Sequence, residues 1–377
     1  MTDRASWYSV HNEQKRVEID NQLDKAEEYH AVQDNKNSSK ILRRILVDHD
    51  PHHPKVLYKL AVIHWSARHD TIALRLCKYA LSLCKLYNGI DTTYEEACKR
   101  GYSYQYWELL FRALIEDFCR RNEKAKQLYE QAIEFLKCTP CPDTGYEVHL
   151  NLGVVLMDMH EYERAVRQFE AALPLEQKSY YRSTCYNNIG HCYEKREMYD
   201  EAVEFYTLSI ELYPTDILLY KNRLYTFIEM SNFEKALKDV NIVISIIESA
   251  NSSNSELLVE FLCLKGSILQ QLGKEDQAKD LYHHSIVLQP DYYYSYTMLA
   301  FFEMIASEGW DKEKRKALKR ALDLVRNGIH NCRDGVELAH LLTISSEIHT
   351  SLHQDELANK DLEILQNIRT GGLDRID

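Results

Sequence analysis

Apolar residues return at helical spacing along most of the chain, in paired amphipathic stretches separated by polar breaks. Glycine (12) and proline (7) are scarce among 377 residues. That scarcity argues against a many-stranded sandwich or barrel and against disorder, and favours helices joined by short connections. The length gives a prior of two or three domains of about 150 residues each. No apolar run reaches the roughly 18 uncharged residues of a membrane span, so none is expected.

The pattern repeats. Residues 146–177 (YEVHLNLGVVLMDMHEYERAVRQFEAALPLEQ) align with residues 183–214 (STCYNNIGHCYEKREMYDEAVEFYTLSIELYP). With each unit numbered from its first residue, position 8 is Gly153 and Gly190, and position 20 is Ala165 and Ala202. Position 24 is Phe169 and Tyr206, position 27 is Ala172 and Ser209, and Pro214 falls at position 32. The frame extends both ways. Position 8 becomes Ala61, Ala113, Leu224, Gly266, Ala300 and Ser346 in further units, and position 20 becomes Ala73, Ala125, Ala236, Ala278 and Ala358. Small residues at two fixed positions let two helices approach closely, and the large residues at position 24 fill the space beside them. A single helix pair leaves its apolar face uncovered, so units must stack.

These residues resemble the tetratricopeptide-repeat family, whose unit is a helix–turn–helix of about 34 residues. The resemblance implies an all-α fold, a right-handed α-solenoid of stacked units with a concave groove. It spans most of residues 38–369. The expected organisation is an N-terminal helical or flexible segment at 1–37, a solenoid at 38–370 and a tail at 371–377. About eight units start near residues 54, 106, 146, 183, 217, 259, 293 and 339. Insertions are expected around 87–105, at Cys138–Pro142, at 249–256, and at 307–319, where the pattern suggests a lengthened helix. A weak last unit before Gly371 and Gly372 would leave an apolar end for self-association.

In the family, positions 2, 5, 6, 9 and 12 of the first helix line the groove. Position 6 is Asn151, Asn188 and Asn222 in three successive units. A carboxamide offers both donor and acceptor, so such a row can hold the backbone of an extended peptide. The alternative is that Asn is simply common at this position. Asn187, His191, Lys221 and Tyr225 make the neighbouring groove polar and mildly basic, and Tyr294 continues the face. The family's two-carboxylate clamp for chaperone C-termini is absent. Lys221 is the one Lys at position 5 of a well-matched unit, and the partner positions carry Tyr225, Leu264, Tyr294 and Met298.

Charge and cysteines narrow the function. Asp and Glu outnumber Lys and Arg by 58 to 46, a net charge of −12, so nucleic acid is not the expected partner. The acidic N-terminal thirty residues do not suit a targeting peptide. Ten scattered cysteines suit reduced thiols in the cytoplasm better than a disulfide framework. Cys138 and Cys141 have zinc or redox spacing but lack the further ligands or the βαβ context. His49, His52 and His53 read as an inter-repeat turn, and Gly266 to Lys274 fails the phosphate-loop fingerprint. The basic run 312–320 reads as a solvated helix face. No nucleophile, base and orienting group are placed together, and no cofactor or metal is expected. The chain therefore reads as a non-enzymatic interaction scaffold that holds an extended or helical segment of a protein partner. The rival reading is a structural subunit of a large assembly, of ciliary-transport or ubiquitin-ligase type.

Overall fold

The computed structural model describes residues 17–26, 28–29, 34–48, 53–88, 103–138, 145–175, 178–249, 255–305, 311–332 and 334–369. Most of the 87–105 insertion, Cys141, His49, His52, residues 250–254 and 306–310, and the tail from 371 lie outside the described residues. All regular structure among the described residues is helical. After a helical stretch at 17–26 come α1 (Asn35–Asp48), α2 (Pro54–Ser66), α3 (Asp70–Asn88), α4 (Tyr104–Phe118) and α5 (Asn122–Cys138). Then follow α6 (Tyr146–Asp158), α7 (Tyr162–Ala172), α8 (Ser179–Glu194), α9 (Tyr199–Leu212), α10 (Ile217–Glu229) and α11 (Phe233–Ser249). The last six are α12 (Ser255–Gln271), α13 (Glu275–Leu288), α14 (Tyr293–Ile305), α15 (Asp311–Asn331), α16 (Gly335–Ser351) and α17 (Asp355–Arg369).

The chain divides into two compact units, Met1–Leu219 and Tyr220–Asp377. In the first, α2 packs on α3, α4 on α5, α6 on α7 and α8 on α9, and each pair also packs on the next. The second unit repeats the scheme from α11 to α17. Both are stacked helix–turn–helix arrays.

One turn geometry recurs. The residue ending the first helix of a pair is left-handed at Arg68, Arg120, His160, Glu197, Ser231, Gly273 and His353, with φ between 54° and 71°. Each stands at position 15 of its unit. The next residue's N–H bonds back to the carbonyl five residues earlier, as in His69 to His64, Glu161 to Leu156, Met198 to Tyr193 and Asn232 to Phe227, at 2.8–3.0 Å. This satisfies carbonyls that the helix end would otherwise leave open. Of the seven, Gly273 alone lacks the Cβ that makes this conformation costly. Glu197 and Ser231 are exposed. Glu197→Gly and Ser231→Gly should each stabilise by about 0.5–1 kcal/mol, the steric relief less the added unfolded-state entropy of glycine. Urea melts check this, with Glu197→Ala, which keeps the Cβ, expected to give no gain.

Helix pairs close on small residues. Ala61, Ala73, Ala113, Ala125, Ala165, Ala202, Ala236, Ala278 and Ala300 are fully buried. Where position 8 is glycine, the aromatic at position 24 lies against it. A Cβ on Gly153 would meet the Phe169 ring at 2.4 Å, one on Gly190 would meet Tyr206 at 2.8 Å, and one on Gly266 would meet Tyr282 at 2.8 Å. The buried tyrosines also find polar partners. Tyr206 donates to Glu194 at 2.8 Å, and Tyr282 shares a bond with Ser267 at 3.1 Å.

Tyr129 donates to Asp117 at 3.5 Å. Burial first, and the nearby Asp158 carboxylate second, push the Asp117 carboxyl up to about 6, against the pull of Arg120 and of Tyr129. A raised carboxyl favours the folded state only while protonated, so its contribution falls as pH rises from the unfolded value through about 6. Asp117→Asn should melt higher than wild type at pH 7–8, with the difference closing towards pH 4. Thermal melts across that range measure it.

Candidate functional site

The first unit carries a cavity of about 180 Å³ on the side of α2, α6 and α8. Tyr58, Lys59, Tyr146, Glu147, Leu150 and Tyr181 form much of its wall. They arrive there because helical spacing sets Glu147 and Leu150 on one stripe of α6 and Tyr58, Lys59 and Val62 on one stripe of α2. Ala26 from the leading helix and Ser38 and Leu42 from α1 close one end. That end is anchored by apolar packing of Ile19, Leu23 and Ala26 against Leu42, Ile45, Val56, Leu60 and Ile63. Asp24 also pairs with Lys178, just before α8.

The polar groups of this wall are specific. Lys59 Nζ donates to Tyr181 Oη at 2.8 Å and lies 5.0 Å from the Tyr181 ring centre. Tyr146 donates to the Tyr181 carbonyl at 3.2 Å, and their rings are 5.2 Å apart. Asn151 Nδ2 donates to Tyr58 Oη at 3.2 Å. Glu147 is only 6% exposed, and its Oε2 is buried with no hydrogen-bond partner. Burial raises the Tyr58 and Tyr106 hydroxyls, with the Glu147 carboxylate the second cause at both.

The residues expected to form a groove are placed as follows. Asn151, Asn187, Asn188 and His191 belong to the first unit, and all four are half-buried. Burial lowers His191, which keeps its ring neutral at pH 7. Lys221, Asn222, Tyr225 and Tyr294 belong to the second unit. Lys221 pairs with Glu260 at 3.0 Å and lies about 6 Å from the Tyr225 and Phe261 rings. Tyr294 Oη bonds Ser267 at 3.2 Å, and Tyr225 is 40% exposed. The structure thus bonds Asn151 to Tyr58 of the cavity wall, without Asn151 lining the cavity itself, and ties Lys221 into a local ion pair.

Sequence reasoning passed over Glu147, Lys59 and Tyr181. Their signal was available in part, since Glu147 occupies position 2 and Lys59 position 6, both groove positions of the family.

None of the described cysteines forms a disulfide. Burial pushes the Cys77, Cys84 and Cys192 thiols up to about 12, so these are inert at neutral pH. Among the described residues no three His, Cys, Asp or Glu side chains are grouped to hold a metal ion, and no helix is long and apolar enough to cross a membrane.

Comparison with known proteins agrees with this architecture. Tetratricopeptide-repeat models match residues 146–215 and 259–292. The apo form of RapI is 14% identical, covers 93% of this chain and 97% of its own, and superposes with a TM-score of 0.51. A tetratricopeptide repeat protein from Parabacteroides merdae is 16% identical over 70% of this chain and 93% of its own, with a TM-score of 0.48. The Cut9–Hcn1 hetero-tetramer of the APC/C gives 13% identity over 82% of this chain and 52% of the matched chain, with a TM-score of 0.48. No curated protein matches in sequence. At 14% identity the RapI structure speaks to fold alone. Family models, left-handed turns at position 15 and buried small residues at positions 8 and 20 all fall in one register, and this chain is a tetratricopeptide-repeat protein.

Proposed function

We propose that this chain is a non-catalytic interaction scaffold and that the first-helix face of its first unit holds an extended or helical segment of a protein partner. The observation that carries this reading is the cavity between α2, α6 and α8, walled by residues at positions 2, 5, 6 and 9. It is built from helices already packed into the core, so little ordering is lost when a partner enters. Asn151 and Asn188 lie on the same helices, α6 and α8, and supply the donor–acceptor groups a peptide backbone needs. The acidic balance favours a protein over a nucleic acid. Ten scattered cysteines without a disulfide-framework spacing favour a reducing compartment, the cytoplasm.

The test is affinity purification from native cells, comparing wild type with Asn151→Ala/Asn188→Ala/Asn222→Ala, with folding monitored by circular dichroism. Partners that drop out with a folded variant support groove capture. An unchanged set of stoichiometric partners contradicts it and favours the rival reading, a subunit of a larger assembly held by its outer faces.

A further inference from the structure

We propose that the cavity on the first unit is a subsite for a cationic side chain, Lys or Arg, carried by the partner segment, with Glu147 as its counter-ion. The proposal rests on the groove reading above and names the chemistry of its occupant. Three observations point to it. First, Glu147 is 94% covered yet makes no ion pair among the described residues, and its Oε2 has no hydrogen-bond partner. A buried carboxylate in that state is costly, and the cost is recovered when a cation meets it. Second, the neighbouring positive charge does not fill this role. Lys59 donates to the hydroxyl of Tyr181 and lies over its ring, and among the described residues no ion pair joins it to Glu147. Third, the rest of the wall suits a cation. Tyr58, Tyr146 and Tyr180 line it beside Tyr181, whose ring already attracts Lys59, and aromatic rings attract ammonium and guanidinium groups.

Size agrees with this occupant. A cavity of about 150 Å³ accepts a benzene-sized group, so the 180 Å³ here admits a guanidinium or an ammonium with part of its alkyl stem. The stem would lie on Leu150 and Val62, both part of the wall. Asn151, one residue beyond Leu150, lies behind this wall and bonds its Tyr58, next to where the backbone of the anchored residue would run.

The experiment uses the full chain and a displayed library of random twelve-residue peptides. Wild type should enrich peptides with Lys or Arg at one fixed position. Glu147→Gln keeps the side chain's shape and removes its charge. It should bind the leading peptide about 10- to 100-fold more weakly, and selection on it should not recover the basic position. Replacing that Lys or Arg by norleucine should cost wild type as much, and cost Glu147→Gln little. Glu147→Gln should melt no lower than wild type, because an uncompensated charge is gone. Leu150→Lys places an ammonium one helical turn from Glu147 and should abolish binding without touching the carboxylate, so it stands in if the first variant fails to fold. Enriched peptides without a fixed basic residue, or equal binding by Glu147→Gln, overturn the cationic subsite and leave the groove reading intact. No enrichment on any form overturns both.

Discussion

Asp239→Ala should remove about 3–5 kcal/mol from the stability of the second unit. Arg223 grips Asp239 with two parallel bonds, Nε to Oδ2 at 2.9 Å and Nη2 to Oδ1 at 2.8 Å. The two side chains are 15% and 4% exposed, so solvent does little to screen the pair. The Tyr220 and Phe227 rings lie 5.8 Å from the guanidinium carbon. Removing the carboxylate strips a largely covered guanidinium of its bidentate partner. A domain of this size has only about 5–15 kcal/mol to lose. Asp239→Asn should cost less, because one hydrogen bond can persist. Arg223→Met/Asp239→Leu should recover most of the loss, since an apolar pair of similar volume no longer bears the desolvation penalty. Urea melts of the two single variants and the double variant give the coupling. Equal stability of Asp239→Ala and wild type would show that the pair contributes nothing.

Gly153→Ala should destabilise the first unit by about 1–3 kcal/mol even though alanine is the better helix former. Two effects oppose each other. Helix propensity favours alanine by about 1 kcal/mol. Against it, the new methyl would stand 2.4, 2.7 and 2.8 Å from three atoms of the Phe169 ring. Phe169 is fully buried, so its ring has no open side to move into. The steric term wins. Phe169→Leu shortens the obstructing side chain and should therefore cost less in the Gly153→Ala background than in wild type. Additive costs would contradict the close contact. Gly273→Ala is the contrasting case. Nothing lies within 4 Å of its added Cβ, so only the left-handed backbone at φ 71° is strained. Its cost should be about 1–2 kcal/mol, and no second-site change should relieve it.

How much was legible follows from the range of each interaction. The all-α class and the family were readable because the close helix–helix approach needs small residues at fixed offsets, and offsets survive in one sequence. Ala165 and Phe169, for example, sit four apart on the helix that packs against Gly153. The left-handed turns were not readable residue by residue. Arg68, Arg120, His160 and Glu197 carry no compositional signal for φ > 0, and only the repeat frame aligns them with Gly273. The candidate site was less legible still. Glu147 looks like an ordinary solvated acid near a helix start. It is buried because Tyr58 comes from 89 positions earlier and Tyr181 from 34 later to wall the same cavity. Likewise Lys221 reads as a groove cation, yet Glu260 claims it from 39 residues away. Local periodicity determines faces. Which side chains meet across repeats depends on stacking that one sequence does not encode visibly.

The most direct test of partner capture by the first-helix face is amide hydrogen exchange of the full chain, with and without the leading peptide from the random library. New protection should fall on side chain-bearing stretches of α2, α6 and α8 around residues 58–62, 147–151 and 181–191, and should be lost in Asn151→Ala/Asn188→Ala. Protection confined to the second helices of the pairs, or to the turns, would contradict the account and place binding on the outer faces.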